Sequence, residues 1–442
     1  MNPILVPVMI VGIVAWVYAV RRFFSGSCRV MQALGTWALV SGFYAFQFFL
    51  RSTLNPMSQV LMKDFGVNVQ DISYLSAAYY IPYVWLQIPL GGMLDRWGPK
   101  LVLRWGTIVC VCGALIFAHT SSFVWAFVGR FFIGAGGAAS LIGSIRMNSL
   151  WLSASSLAFA TGLLSGLGKM GGSAANGLLP MWLAGSSWHE VLSYIAWGGA
   201  LVCVTIWAGA RNGPEDQWVR EPKKAGSLSA ILRTPTTWIL GLYGCALYAT
   251  LTVFSDTYSI PFLRQKMGLS LTTAGHSAAL VGLGSALGSA LVTGLSDWIK
   301  KRLFFVRGCA LGTCLVAGIV IWWPISSLSA MNTALLALGV FSGGQILALT
   351  LVCDTTPRAR LGLNTGIMNA FLMSGGMIIN PVIGKILHYQ WSGQWLNGAP
   401  VYGLKDYQTS LSVLLALFVM AFVLSWWIKE THPKNPKSCP VV

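Results

Sequence analysis

The sequence predicts an all-α membrane fold of two six-helix halves, and three observations carry that expectation. Only 9% of the 442 residues are charged and 55% are hydrophobic, whereas a soluble protein carries about 25% charged residues. Apolar stretches of roughly 20 residues, the length a helix needs to cross a bilayer, recur along the chain. The second half also repeats landmarks of the first at near-constant spacing. A water-soluble enzyme is excluded. So is a transmembrane barrel, whose strands are short and alternating rather than long and apolar. The 49 glycines and 20 tryptophans suit membrane helices, Gly at close contacts and Trp at the interfaces.

The expected spans, in order, are residues 4–20, 32–58, 72–94, 101–119, 123–147, 157–183, 191–209, 236–260, 272–296, 305–323, 330–352, 362–387 and 409–428. The stretch 4–20 is at the short end for a crossing. No basic residue precedes it, against a cleaved signal peptide, and Met31 stands directly before the next span. Residues 1–30 are therefore read either as an extra span, placing the N-terminus outside, or as an extension upstream of a start at Met31. The polar stretch 210–234, with Pro214, Glu215, Asp216, Pro222, Lys223 and Lys224, divides the other twelve. The N-terminal half is then 31–209, the C-terminal half 235–428 and the tail 429–442.

Charge sets the orientation. With residues 21–30 cytoplasmic and the sides alternating, cytoplasmic segments hold 20 Lys and Arg and outer segments five. The net charge of +17 is thus spread as short clusters between spans, not as a nucleic-acid-binding patch. No N-glycosylation sequon occurs, which points to a bacterial inner membrane. The nine cysteines lack metal-ligand spacing (Cys110 and Cys112 are too close for a zinc pair), so neither metal nor cofactor is expected.

The repeat is specific. Gly66 precedes Asp95 by 29 residues, as Gly268 precedes Asp297. Thr161-Gly162, Gly171-Gly172 and Asn176 match Thr365-Gly366, Gly375-Gly376 and Asn380 at an offset of 204. A parallel repeat of this kind builds secondary transporters with a substrate site between the halves, although a duplication alone also allows a channel or a receptor.

The motifs decide between these. Gly91-Gly92-Met93-Leu94-Asp95-Arg96-Trp97-Gly98-Pro99-Lys100 follows the second of the twelve spans, where Asp95 can act as a breakable latch. This segment resembles the signature loop of the major facilitator superfamily, G-x-x-x-D-R-x-G-x-[RK], with Pro99 departing from the usual basic residue. Gly294 to Arg302, containing Asp297, resembles a decayed second copy. Arg130-Phe131-Phe132-Ile133-Gly134-Ala135-Gly136 resembles the family's second motif. The resemblance covers residues 31–430. It implies a rocking-halves transporter coupled to protons, with Asp95, Arg96 and Asp297 as gating or coupling residues; Asp256 joins them from the repeat. The Gly-Pro pair of drug/proton antiporters is missing from the glycine-rich stretch 162–172, which argues against a multidrug exporter.

Charges inside spans are costly and mark functional candidates. Four bases lie there: Arg51, Arg130, Arg146 and Lys169. Asp256 is the one acid well inside a span; Asp71, Asp95, Asp297 and Asp354 sit at helix ends. This imbalance favours an organic anion or an amino acid as substrate. Arg51-x-x-x-Asn55 also resembles the anion/cation symporter branch of the superfamily. The expected substrate-binding residues are Arg51, Asn55, Lys169, Arg130, Gln345 and Asn369. Structural roles stand beside these: Arg130 as a pairing residue, Lys169 as a hydrogen-bonded structural lysine, Arg146 as a snorkelling one. The amides Gln47, Asn55, Gln87, Gln345, Asn364, Asn369 and Asn380 either line a cavity or join helices. His276 is read as structural.

Aligning the first and seventh spans by Pro56 and Pro261 sets Arg51 opposite Asp256, toward the outer mouth. Two roles stay open for Arg51: a gate that pairs with Asp256 when the outer side closes, or a ligand for a substrate carboxylate. The expected protein is a monomeric secondary active transporter that uses small solutes, protons and the lipid bilayer, without nucleic acid. An exporter of drug-like or siderophore-like compounds is the alternative. A sensor that has lost transport is disfavoured by the short tail, and an ATP-driven pump by the lack of a phosphate-binding loop.

Overall fold

The computed structural model describes residues 18–20, 22, 28–213, 228–355, 361–396 and 398–430. Most of the expected segment 4–20, residues 214–227 of the central stretch, Arg21, Arg358, Arg360 and the tail from 431 lie outside these.

Ten helices among the described residues are long and apolar enough to cross a membrane. One of them, Val69–His119, is two crossings joined where Gly98 leaves the helix at φ 78°, a conformation that suits glycine. Ala154–Leu183 adds a further helix of crossing length. The described chain therefore crosses twelve times. The first span is Arg29–Arg51 continued by Leu54–Phe65, and the second and third are Val69–His119. The fourth to sixth are Phe123–Ser149, Ala154–Leu183 and Trp188–Gly209. The seventh runs from Pro235 to Met267, the eighth is Leu271–Ile299 and the ninth Arg302–Trp322. The tenth is Leu328–Asp354, the eleventh Leu361–Tyr389 and the twelfth Leu404–Leu424.

Local sequence explains several ends. Asn68 caps the second span, accepting from the backbone N–H of Asp71 while the Asp71 carboxylate answers at the Asn68 N–H. Ser187 and Glu190 do the same for the sixth. The first and seventh spans both stop at a left-handed glycine, Gly66 (φ 64°) and Gly268 (φ 65°), so the repeat extends to backbone conformation. Both spans run outward beyond the expected ends at 58 and 260, to Phe65 and Met267. Arg51 and Asp256 are therefore followed by roughly three further helical turns of their spans.

The two spans share a second departure from regularity. The first breaks at Ser52 and Thr53, and the seventh widens to a π-helix over Thr250–Tyr258. Local π-helical widening is frequent at functional sites. The apolar runs carried no sign of either feature.

The halves meet along three seams. The second span packs against the eleventh, the fifth against the eighth, and the first against the seventh. Small residues permit the close approaches. Gly134 of the fourth span faces the Tyr79 main-chain carbonyl so closely that a side chain there would overlap it. At the outer end, strands Trp395–Leu396 and Ala399–Pro400 form a hairpin, and Val69 N–H donates to the nearby Tyr402 hydroxyl at 3.3 Å, tying the C-terminal half to the start of the second span.

Candidate functional site

The two irregular segments face each other across the pseudo-two-fold axis. Arg51 contacts Asp256, its equivalent in the proline alignment, while Ser52 contacts Asp256 and Asn55 contacts Ser259, each one residue out of that register. Arg51 Nε lies 2.8 Å from Asp256 Oδ2, with both side chains about 97% buried. The Ser52 hydroxyl donates to Asp256 Oδ1 at 2.5 Å and the Tyr80 hydroxyl to Oδ2 at 2.8 Å. The Arg51 plane stacks 4.0 Å above the Phe48 ring centroid. Its Nη1 reaches only Tyr248 Oη at 3.4 Å and Met373 Sδ at 3.9 Å.

Arg130, fully buried, directs its three nitrogens to main-chain carbonyls: Nη1 to Leu50 O (2.7 Å), Nη2 to Arg51 O (3.2 Å) and Nε to Leu75 O (3.4 Å). Carbonyls at a helix end lack intrahelical donors. The break after Arg51 leaves the Arg51 carbonyl without a helical donor, the Leu50 carbonyl being met also by the Thr53 hydroxyl at 2.9 Å, and a cation there also answers the helix dipole. The π-helix is satisfied in the same way. Ser255 O accepts from Asn55 and Asn176, and Thr252 O from Asn380 and Tyr80. Asn55 also donates to Asn176 and Ser259 and accepts from the Ile260 N–H. Of the expected substrate residues, then, Arg130 and Asn55 are occupied in holding irregular backbone.

Lys169 lies on the fifth span, one turn before Gly172, against which Ser52 packs. Its ammonium donates to Ser285 O at 3.1 Å and to the Ser289 hydroxyl, which passes a bond on to Gly343 O at 3.1 Å. Every one of these partners is neutral. Gln345, in the short 3-10 turn beginning at Gly343, is 3% exposed, and its Oε1 has no hydrogen-bond partner among the described residues; the same is true of Gln47 Nε2 and the Tyr83 hydroxyl. Asn369 donates to Gln87 Oε1 at 2.9 Å, joining the eleventh span to the second. Buried polar atoms are nearly always paired in proteins, so the Gln345 and Gln47 amides are each suited to a further polar partner.

The expected gating residues divide by depth. Asp256 is in the central cluster. Asp95 and Arg96 are exposed beside the Gly98 turn, with the Arg96 guanidinium 6.0 Å from the Trp97 ring. Asp297 is half exposed at the end of the eighth span and pairs with Arg302 at 2.9 Å. Arg302 also pairs with buried Asp354 at 2.7 Å, and Glu430 accepts from the N–H groups of Arg302 and Leu303. The decayed loop copy thus clamps the ends of three spans within its own half. Ser52, Tyr80, Tyr248 and Ser289 were absent from the sequence-based set. The Tyr79-Tyr80 doublet in the middle of an apolar span was the available signal for one of them.

Comparison with known proteins adds to this geometry. The profile of the Major Facilitator Superfamily matches residues 38–381. The chain is 26% identical over 409 residues to the "Probable galactarate/D-glucarate transporter GudP" of Escherichia coli (strain K12), covering 83% of this chain and 89% of that one. It is 23% identical over 332 residues to the "Probable sulfoacetate transporter SauU" of Cupriavidus necator, covering 69% and 76%. Among solved structures, an inward-facing, unoccupied bacterial homologue of the human lysosomal transporter Spinster superposes with a TM-score of 0.74 at 16% identity, over 92% of this chain and 99% of that one. Twelve crossings, a duplicated architecture and a buried charge cluster between the halves are thus accounted for together: the chain is a multi-pass membrane transporter belonging to the Major Facilitator Superfamily.

Proposed function

We propose that this transporter moves a small organic anion carrying one or two carboxylates or a sulfonate, using Arg51 and Lys169 as its charge-recognising residues. The observation that carries this is the charge inventory of the centre. Between the halves, away from the Arg302–Asp354 pair, three buried cations among the described residues, Arg51, Arg130 and Lys169, stand with one buried acid, Asp256. Arg130 is held by carbonyls and Arg51 by Asp256, which leaves Lys169 with neutral partners only. A buried charge without an opposite charge is expensive, and an anionic ligand offsets that cost. The similarity to a galactarate/D-glucarate transporter and a sulfoacetate transporter supports the same class. Gln345 and Asn369 line the route, the two halves (31–209 and 235–428) rock about the axis, and the monomer works in a bacterial inner membrane with a proton gradient as its driving force.

The test is a thermal-shift series on the purified protein with D-glucarate, galactarate and sulfoacetate, and with a polyamine as a cationic control. Binding at 100 times Kd adds about 2.7 kcal/mol of apparent stability. Stabilisation by at least one anion and none by the polyamine is expected; stabilisation by the polyamine alone would overturn the assignment.

A further inference from the structure

We propose that the groove between the ninth and twelfth spans, at the end the charge pattern assigns to the cytoplasm, is a binding site for an anionic phospholipid. Arg307 and Lys301 hold the headgroup phosphate, and an acyl chain lies along the ninth span. The site stands apart from the central cluster, to which neither span contributes a residue.

Its cations come from a departure from the repeat. At the 202-residue spacing that relates Gly66 to Gly268 and Asp95 to Asp297, Gly98-Pro99 of the first half corresponds to Lys300-Lys301 of the second. Gly98 takes φ 78° and Lys300 takes φ 59°. That left-handed region suits glycine and disfavours lysine, so the second half keeps a cation where the backbone alone favours none. Lys300 and Lys301 are both exposed. Further along the ninth span, the half-buried Arg307 places its guanidinium 4.2 Å from the Trp426 ring centroid, just past the twelfth span. Its Nε is buried and has no hydrogen-bond partner among the described residues. The third and sixth spans carry a related contact that is satisfied differently. Arg104 lies 5.1 Å from the Trp207 ring centroid and donates to the Trp207 carbonyl at 2.5 Å. The protein thus supplies an acceptor to the stacked arginine of one half, and that of the other retains donor capacity.

Lys301, Phe304, Arg307, Leu311, Phe422 and Glu430 line the groove, which has a volume of about 540 Å³. Glu430 is the acid among them, and its two oxygens already accept from the N–H groups of Arg302 and Leu303 at the start of the ninth span, the positive end of the helix dipole. Lys300, Lys301, Arg307 and Lys429 therefore leave this end of the groove net positive, which suits a phosphate. The apolar wall selects a lipid over a soluble phosphate. Phe304, Leu311, Leu315 and Ile319 are exposed at helical spacing on the ninth span. At ~1.5 Å per residue they run for about 22 Å, long enough to follow a chain through half of a hydrocarbon core of about 30 Å. Trp298, Trp426 and Trp427 are exposed at the same end, as tryptophans at a membrane interface are.

The experiment is lipid binding to the purified, delipidated protein in neutral detergent, followed by native mass spectrometry and by thermal shift. The probes are dioleoyl-phosphatidylglycerol, dioleoyl-phosphatidylcholine and inorganic phosphate. Saturable binding and a raised thermal midpoint are expected with phosphatidylglycerol and not with the other two. A basic residue at an anionic lipid surface is worth roughly a fivefold change in affinity. Arg307→Gln and Lys301→Gln should each weaken phosphatidylglycerol binding by that factor, and more together, whereas Arg104→Gln should leave it unchanged. Equal binding of phosphatidylglycerol and phosphatidylcholine by the unmodified protein overturns the proposal whatever the variants do. So does an equal loss in Arg104→Gln, which would mean diffuse attraction to the whole surface. Stabilisation by inorganic phosphate as large as that by phosphatidylglycerol overturns the lipid assignment in favour of a soluble phosphate.

Discussion

Two arginines at the core are used differently, and their substitutions should separate. Arg130 supplies donors to the carbonyls of Leu50, Arg51 and Leu75. Without Arg130 the Leu50 carbonyl keeps the Thr53 hydroxyl, but the Arg51 carbonyl is left unpaired, at a cost of about 1–3 kcal/mol in a buried site. Arg130→Met is therefore expected to lower the thermal midpoint and folded yield; a Met variant with parental stability and no transport would make Arg130 a substrate ligand instead. For Lys169, hydrogen bonds to charged groups are worth about 1.5–3 kcal/mol, so Lys169→Ala should weaken D-glucarate binding roughly 10- to 100-fold, measured by titration, at near-parental yield. Failure of that variant to accumulate would favour a structural lysine. The charge exchange Arg51→Asp with Asp256→Arg bears on the gate reading. Breaking a buried pair costs about 3–5 kcal/mol, and a pure gate recovers part of the activity lost in each single variant. If Arg51 is the ligand for substrate, uptake stays at the level of the single variants. The Arg51–Asp256 proximity was legible from aligned prolines. Ser52 and Tyr80 were not, because the rotation that turns Tyr80 toward the axis depends on how the second span packs against the fourth and eleventh.

At the scale of single helices, irregularity is stabilised by side chains from elsewhere. The Ser255 carbonyl is met by three side-chain donors and that of Thr252 by two, among them Asn176 and Asn380 at equivalent positions of the repeat. Asn176→Asp keeps the shape of the side chain but removes its N–H donors. It should reduce stability by about 1–3 kcal/mol, read as a lower thermal midpoint, and slow transport; a midpoint equal to that of the parent would show that the π-helix needs no amide there. Span number and approximate limits were readable from hydropathy, because burial in lipid demands long apolar runs. The break and the π-helix were not, since Thr250 to Tyr258 contains neither Gly nor Pro and its geometry comes from tertiary donors. The outward extensions to Phe65 and Met267 escaped for a related reason: Lys63, Asp64, Arg264 and Lys266 read as loop yet lie in the last helical turns.

For the whole molecule, the two halves are joined at the axis by groups that must rearrange for access to alternate. The Gly98 turn with Asp95 and Arg96 joins the second and third spans, at the end the charge pattern assigns to the cytoplasm, and Asp297 is clamped to Arg302 within its own half. Asp95→Asn is accordingly expected to insert normally and to reduce the rate of transport, compared at matched expression. The central claim, that an anionic substrate is carried on Arg51, is tested most directly by D-glucarate uptake into proteoliposomes under an imposed pH gradient. The account predicts that the parent accumulates D-glucarate against its gradient, that a protonophore reduces this to equilibration, and that Arg51→Gln accumulates none. Accumulation that ignores both the pH gradient and the membrane potential, or that persists in Arg51→Gln, would contradict it.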